Sequence, residues 1–245
     1  DLGPECSLTR LGDRVVAEPH AHTCGHCYHC RTGNSQYCTE KRAPGSGIHG
    51  GMARFICYPE RLLHAIPDST SWMQAAMVEP TANAVHNVVE RGRIAAGETV
   101  VVIGPGPIGL LCAMAARAAG AATVVILGSA RAAQTRFPLA RDLGFTRLAN
   151  AERDDAAEMV RELTAGLGAD LVVECSGSPS AIPVIPTLLR KRGRVVVVGF
   201  SGRRPVTLDW DALVMTAADI SFGLSTSSTS WDTTIRLIAG SDSSE

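Results

Sequence analysis

The sequence predicts an α/β protein, with a doubly wound parallel sheet in its second half and a smaller, metal-braced lobe before it. Two observations carry this. Between residues 99 and 200, short apolar runs alternate with helix-forming stretches, the rhythm of a parallel sheet covered on both faces. Earlier, residues 24–38 read CGHCYHCRTGNSQYC and gather four cysteines into one loop.

The elements follow in order. Residues 99–103, TVVVI, read as a strand buried on both faces. GPGPIG comes next, then LLCAMAARAAG, which forms helix and stops at a glycine. A second strand is expected at 122–128, a helical stretch around TRFPLARDLG, and a helix at DDAAEMVRELTAG. A strand at 170–175, a helix near 179–191 and a strand at 193–200 complete the alternation. ISFGLS (220–225) reads as a further strand and TTIRLIA as a helix.

Residues 99–128 carry Arg117 as their only charge, over a length that could cross a bilayer. The glycines and prolines of GPGPIG and AAGAA instead divide the run into strand, turn, helix and strand. A net charge of −1 and 4% aromatic residues provide neither a basic field nor a stacking platform for nucleic acid. No charged-then-apolar leader opens the chain, which sets the expectation of cytoplasmic residence without a membrane.

Cys24, Cys27, Cys30 and Cys38 have the spacing C-x2-C-x2-C-x7-C, which lets one tight loop turn four thiolates toward a single tetrahedral ion, most simply zinc. An iron–sulfur cluster competes, but in the bacterial run the fourth cysteine follows after three residues and precedes proline. Here the gap is seven residues and Thr39 follows. His22, His26 and His29 are interleaved with the cysteines and read as solvent-facing loop residues rather than ligands. Four thiolates leave no open coordination position, so this metal braces the loop and performs no chemistry.

Gly104, Gly106 and Gly109 place G-x-G-x-x-G between strand and helix, with Pro107 and Ile108 inside it. The first glycine suits a tight turn, the second admits a pyrophosphate, and the third lets helix and strand pack closely. Gly177 and Gly199 fall at carboxyl ends of strands, where such sheets bind ligands. At the end of the second strand an acidic residue would hold the ribose hydroxyls of NAD; Gly128 and Ser129 stand there, with Arg131 close by. NADP is favoured over NAD, through pairing of Arg131 with a 2′-phosphate, although a solvated helix-start arginine explains the same residue.

GDRVVAEPHAHTCGHCYHCRTGNSQYC followed by EPTANAVHNVVERGRIAAGETVVVIGPGPIG resembles the zinc-dependent medium-chain alcohol dehydrogenases, in the branch of sorbitol, threonine and aminocyclitol dehydrogenases. The resemblance covers nearly the whole chain. It implies a partial GroES-like β domain with the zinc lobe over residues 1–80, a dinucleotide-binding Rossmann domain over 81–225, and the start of a returning segment over 226–245. It implies a structural zinc on the four cysteines, a second and catalytic zinc in the intact protein, and a nicotinamide cofactor. The substrate implied is a secondary alcohol of the polyol, amino alcohol or cyclitol kind, and the assembly a homo-oligomer pairing near 220–225.

Glu79, in VEP, matches a family position at the catalytic metal, as ligand or as holder of a zinc-bound water. From its own surroundings it is only a glutamate before proline at a helix start. The family's early cysteine and GHE motif are absent from this sequence, so the resemblance implies a chain that begins inside the catalytic domain, stops short of its end and does not turn over alone. Two alternatives stand beside the dehydrogenase: a non-catalytic nucleotide-binding module with a structural zinc lobe, and a zinc-free NADPH reductase on the same fold.

Overall fold

Few of the first sixty residues adopt regular structure. In the computed structural model, which describes residues 1–240, β1 (Val15–Ala17) is followed by the helical turn α1 (Tyr28–Arg31), the two-residue strands β2 (Ala43–Pro44) and β3 (Gly47–Ile48), and β4 (Leu63–Ala65). β1 and β4 pair antiparallel, with Val16 opposite His64. The Arg14 guanidinium lies over the Trp72 ring and donates to the carbonyls of Pro67, Asp68 and Thr70, which fixes the turn leaving β4.

Ser71 and Gln74 form a reciprocal capping box that starts α2 (Trp72–Ala76). α3 (Val78–Val85) follows at once and continues into a π-helical turn over His86–Arg91. Glu79 therefore lies within the first turn of α3 instead of preceding the helix. Pro80 is tolerated there because the first-turn N–H groups have no intrahelical partner.

The rest is a six-stranded, all-parallel sheet. In chain order it comprises β5 (Thr99–Ile103), α4 (Pro107–Ala118), β6 (Thr123–Gly128), α5 (Ala130–Thr135), α6 (Phe137–Asp142), β7 (Arg147–Asn150), α7 (Ala156–Leu163), β8 (Ala169–Glu174), α8 (Ile185–Leu188), β9 (Leu189–Val197), α9 (Trp210–Thr216) and β10 (Asp219–Phe222). The spatial order is β10-β9-β8-β5-β6-β7, so the chain runs outward from β5 and then crosses back to β8. Alternate side chains of the strands build two cores. Val100, Val102, Ile126, Leu171 and Val173 face one layer of helices; Val101, Ile103, Val125, Leu127 and Val172 face the other.

The expected helix near 179–191 is much shorter, a 3₁₀ turn at Ile182–Val184 followed by α8. Pro183 and Pro186 remove N–H donors, and the chain is extended again by Leu189, so β9 begins four residues before the expected 193. β7 and α9 are additions to the expected elements, and the last strand covers Asp219–Phe222. No helix among the described residues is long and apolar enough to cross a membrane.

After β10, α10 (Ser228–Gly240) follows. The chain divides into two compact units: residues 1–83 with those from Ser225 onward, and Ala84–Leu224. In the first unit Trp231 of α10 is buried against Val78 and Ala82 of α3, with Val16, Ile235 and Ile238 around it.

Candidate functional site

In the first unit, the sulfurs of Cys24, Cys27, Cys30 and Cys38 all lie within 4.8 Å of one another. Thiolates held about 2.3 Å from a zinc ion at tetrahedral corners are about 3.8 Å apart. The Cys24–Cys30 and Cys24–Cys38 separations are 4.0 and 3.6 Å. Backbone N–H groups already point at the sulfurs: Cys24 N–H donates to Cys38 Sγ and Cys27 N–H to Cys24 Sγ, each at 3.4 Å. The N–H of Cys24 brings the Cys38 thiol down to about 7. Burial, together with the hydrogen bond to the Cys27 thiol, pushes Cys30 up to about 11.

This donor set fits zinc. Of the interleaved histidines, His22 and His26 are exposed, and His29 packs edge-on against Tyr28 and Tyr37. His26 also joins Cys24 and Glu40 in a second cluster of metal-binding groups.

In the second unit a cleft of about 730 Å³ opens at the carboxyl ends of β5, β6 and β8. This is where the strand order reverses, the position at which open α/β sheets hold ligands. Gly104, Pro105 and Gly106 line it, with Gly128, Ser129, Arg131 and Arg136 on one side and Cys175, Ser176 and Ser178 on the other. Gly104 has φ +96°, and a Cβ there would meet Ser176 at 2.8 Å. A Cβ on Gly109 would lie 1.9 Å from the Gly104 carbonyl oxygen, so this glycine permits the close packing of α4 on the turn. Gly106 differs: a Cβ there meets nothing within 4 Å. That space adjoins the start of α4, where the N–H groups of Ile108 and Gly109 precede the first intrahelical bond, from Leu110 to Gly106. An open backbone beside free helix-start donors fits a pyrophosphate.

The sequence-predicted nucleotide residues thus separate into two groups. Gly104, Gly106, Ser129 and Arg131 line the cleft, and Pro107, Ile108 and Gly109 open α4 beside it. Gly177 and Gly199 do not line it. They pack against each other, with a Cβ on Gly199 falling 2.2 Å from Gly177 N, and the buried Glu174 carboxylate accepts the N–H groups of Ser176 and Gly177. Ser129 caps α5 by accepting from Ala132 N–H.

Arg131 and Arg136 are exposed, and neither guanidinium makes an ion pair or hydrogen bond among the described residues. Sequence reasoning missed Arg136, five residues beyond Arg131. It also missed Glu152, which lines the cleft and accepts the Ala130 N–H at 3.1 Å, because Glu152 follows the unpredicted β7.

Glu79 lies on α3 of the first unit and is not among the four-cysteine ligands. Partial desolvation raises its carboxyl above the usual range although the residue stays open to solvent. Among the described residues it joins no cluster of three or more metal-binding side chains, so the donor set present does not fit a second zinc.

Comparison with known proteins follows this geometry. Residues 107–240 match the zinc-binding dehydrogenase family and residues 1–68 the alcohol dehydrogenase GroES-like domain. The chain is 30% identical to D-arabitol-phosphate dehydrogenase of Enterococcus avium, over 98% of this chain and 67% of that protein. It is 32% identical to sorbitol dehydrogenase of Halalkalibacterium halodurans, over 97% and 68%. It thus spans about two thirds of the length of these curated relatives. A zinc-binding dehydrogenase-like structure from Sinorhizobium meliloti 1021, solved bound to NADP, superposes with a TM-score of 0.86 at 26% identity, covering 98% of this chain and 70% of that one.

Proposed function

We infer function from the premise that the chain belongs to the zinc-binding dehydrogenase family: it is an oxidoreductase of the alcohol dehydrogenase kind, and we propose that it moves a hydride between a secondary alcohol and NADP. The observation that carries the proposal is the cleft at the switch point, with Gly106 open toward it and two unpaired guanidiniums on its rim. The nicotinamide cofactor supplies the hydride-transfer chemistry when bound.

The chain's own residues hold and orient that cofactor. The Gly104–Gly109 turn and the start of α4 receive the pyrophosphate. Arg131 and Arg136 face the adenosine end, where Gly128 and Ser129 stand in place of the acid that would hold the ribose hydroxyls, and the nearby Glu152 carboxylate accepts the Ala130 N–H. The four-cysteine lobe holds its zinc closed and keeps residues 24–38 rigid. A polyol, amino alcohol or cyclitol substrate is supported by the likeness to the arabitol-phosphate and sorbitol enzymes.

Glu79 is proposed to serve the alcohol site, but no step through a second zinc follows from these residues, and the chain alone is proposed not to turn over. That isolation of Glu79 favours the second reading, a nucleotide-binding module without catalysis. A second copy is the proposed partner, pairing along the free edge of β10, with exposed Phe222 beside it. The cytoplasm, which holds a nicotinamide pool, is the proposed compartment.

Fluorescence titration of the chain with NADPH and NADH, followed by turnover with a panel of polyols and amino alcohols, tests the proposal. NADPH is expected to bind about tenfold or more tightly than NADH. Tighter NADH would remove the 2′-phosphate reading, and no binding of either would remove the dinucleotide reading. Binding without turnover is the outcome expected of this chain alone, and turnover of any alcohol would overturn both that expectation and the module reading.

A further inference from the structure

A second polar cluster lies in the first unit, built from residues other than the four cysteines and Glu79. Glu18, directly after β1, is fully buried. One of its carboxylate oxygens meets His64 Nε2 of β4 at 2.9 Å and accepts the Ser228 hydroxyl of α10 at 2.6 Å. The other lies 3.2 Å from His20 Nε2. The second ring nitrogen of His64, Nδ1, meets Asp232 of α10 at 2.9 Å. The ring stacks on buried Trp231, with centroids 5.4 Å apart and planes 14° from parallel. Ser228 and Asp232 are four residues apart on one helix face, so the first turns of α10 are tied to the β1–β4 pair, Ser228 through the Glu18 carboxylate and Asp232 through the His64 ring.

A neutral imidazole has one N–H and one lone pair. His64 faces a carboxylate at each nitrogen, and only the doubly protonated ring can donate to both. We propose that Glu18, His64 and Asp232 form a proton-operated clamp that docks α10 on β1 and β4, closed while His64 carries both protons and loosened when it loses one.

Electrostatics agree with the geometry. Burial alone would lower the His64 pKa, but the hydrogen bonds and charges of Glu18 and Asp232 outweigh it and the net direction is up from 6.5. Burial would raise Glu18, yet His64, Ser228 and the charge of His20 bring it below 4.5. His20 goes down from 6.5 through burial and the charges of Lys41 and Arg61, against the pull of Glu18. Tyr58, which donates to the Glu18 carbonyl, is raised by burial and by the Glu18 charge.

The signs define a window. The His64 contribution is complete below 6.5 and disappears as pH rises through its higher folded value. The Glu18 contribution is present above 4.5 and disappears as pH falls through its lower folded value. His20 must gain a proton in acid, and its contribution disappears as pH falls from 6.5 toward its folded value. The clamp is therefore closed between the folded value of Glu18 and 6.5, and opens as pH rises through the raised folded value of His64.

Amide hydrogen exchange of the full chain, read at 228–240 against β5 as an internal reference for the intrinsic pH dependence, measures the docking. The His64 ring is followed in parallel by NMR. Wild type is expected to lose α10 protection relative to β5 as the ring deprotonates, about tenfold for each unit by which the clamp raises the His64 pKa. Asp232 is 56% exposed, so Asp232→Asn should fold while moving both the ring titration and the loss of protection to lower pH together. His64→Gln should make α10 protection, relative to β5, independent of pH across the range in which the wild-type ring titrates. The proposal is overturned if 228–240 tracks β5 at every pH in wild type, or if Asp232→Asn shifts the ring titration without shifting the loss of protection.

Discussion

Removing zinc from the four-cysteine lobe should destabilise the first unit and leave the second intact. The sulfurs stand close to the spacing that zinc requires, so binding calls for little rearrangement, and the lobe is short of regular structure that could hold it otherwise. At free zinc one hundred times its dissociation constant, binding to the folded state alone stabilises by about 2.7 kcal/mol. For a cooperative unit of about 100 residues, the size of the first unit, this moves the transition by roughly 10–20 °C.

Elemental analysis should find one zinc per chain. Calorimetry should show a chelator lowering one transition while the unfolding of the six-stranded sheet stays in place. Cys38→Ala should reproduce the chelator effect and be insensitive to added zinc. Because the thiols must lose protons to bind, with Cys30 near 11 and Cys38 near 7 in the metal-free lobe, acid should release the metal. A zinc-free protein whose transitions do not respond to added zinc would refute the reasoning from spacing to metal.

Four further outcomes are expected. Arg131→Ala and Arg136→Ala should each weaken NADPH about 5- to 30-fold, the loss of one charge-assisted contact at an exposed site, with NADH little changed in the same fluorescence titration. Gly106→Ala should fold normally, because its Cβ meets no protein atom, yet weaken both dinucleotides; Gly109→Ala should lower thermal stability itself, because its Cβ would enter the Gly104 carbonyl. Phe222→Lys on β10 should shift any dimer toward monomer in light scattering, through charge placed on the free edge. Glu79→Gln should raise the melting temperature at neutral pH but not in acid. The folded carboxyl has a raised pKa, so ionising it costs stability as pH climbs through that value, and equal melting shifts at both pH values would contradict this.

How legible the protein is in its sequence depends on how local the physics is. The glycine turn was readable because its demands fall within six residues of one strand–helix junction: Gly104 needs positive φ and Gly109 needs close approach. The four cysteines were readable for the same reason, since one loop supplies the whole donor set. β5, buried along its whole length, declared itself as a continuous apolar run. β7 did not, because Arg147 and Leu148 at its start are only partly covered and its four residues carry no period. The helix near 179–191 failed for a backbone reason: two prolines in five residues interrupt a pattern whose side chains alone looked helical. Arg136 and Glu152 reach the cleft from elements whose placement only the sheet order decides.

The sharpest contrast is between Glu79 and Glu18, two glutamates each followed by proline in short EP pairs. A family position drew the sequence reading to Glu79, which the structure leaves exposed and without a partner set. Glu18 attracted no reading, and it is the carboxylate that the fold buries completely. An ionised carboxylate survives such burial only when donors surround it. Its donors come from residues 64 and 228, separated from it by 46 and 210 positions. No window along the chain contains them together. A buried charge is therefore nearly invisible to motif reading for the reason that makes it informative in the structure: the long-range contacts that stabilise it also tie distant segments to one another. In this chain they tie α10 to the β1–β4 pair through Ser228 and through an ionisable ring, and a proton on that ring acts on the contacts to Glu18 and Asp232 together.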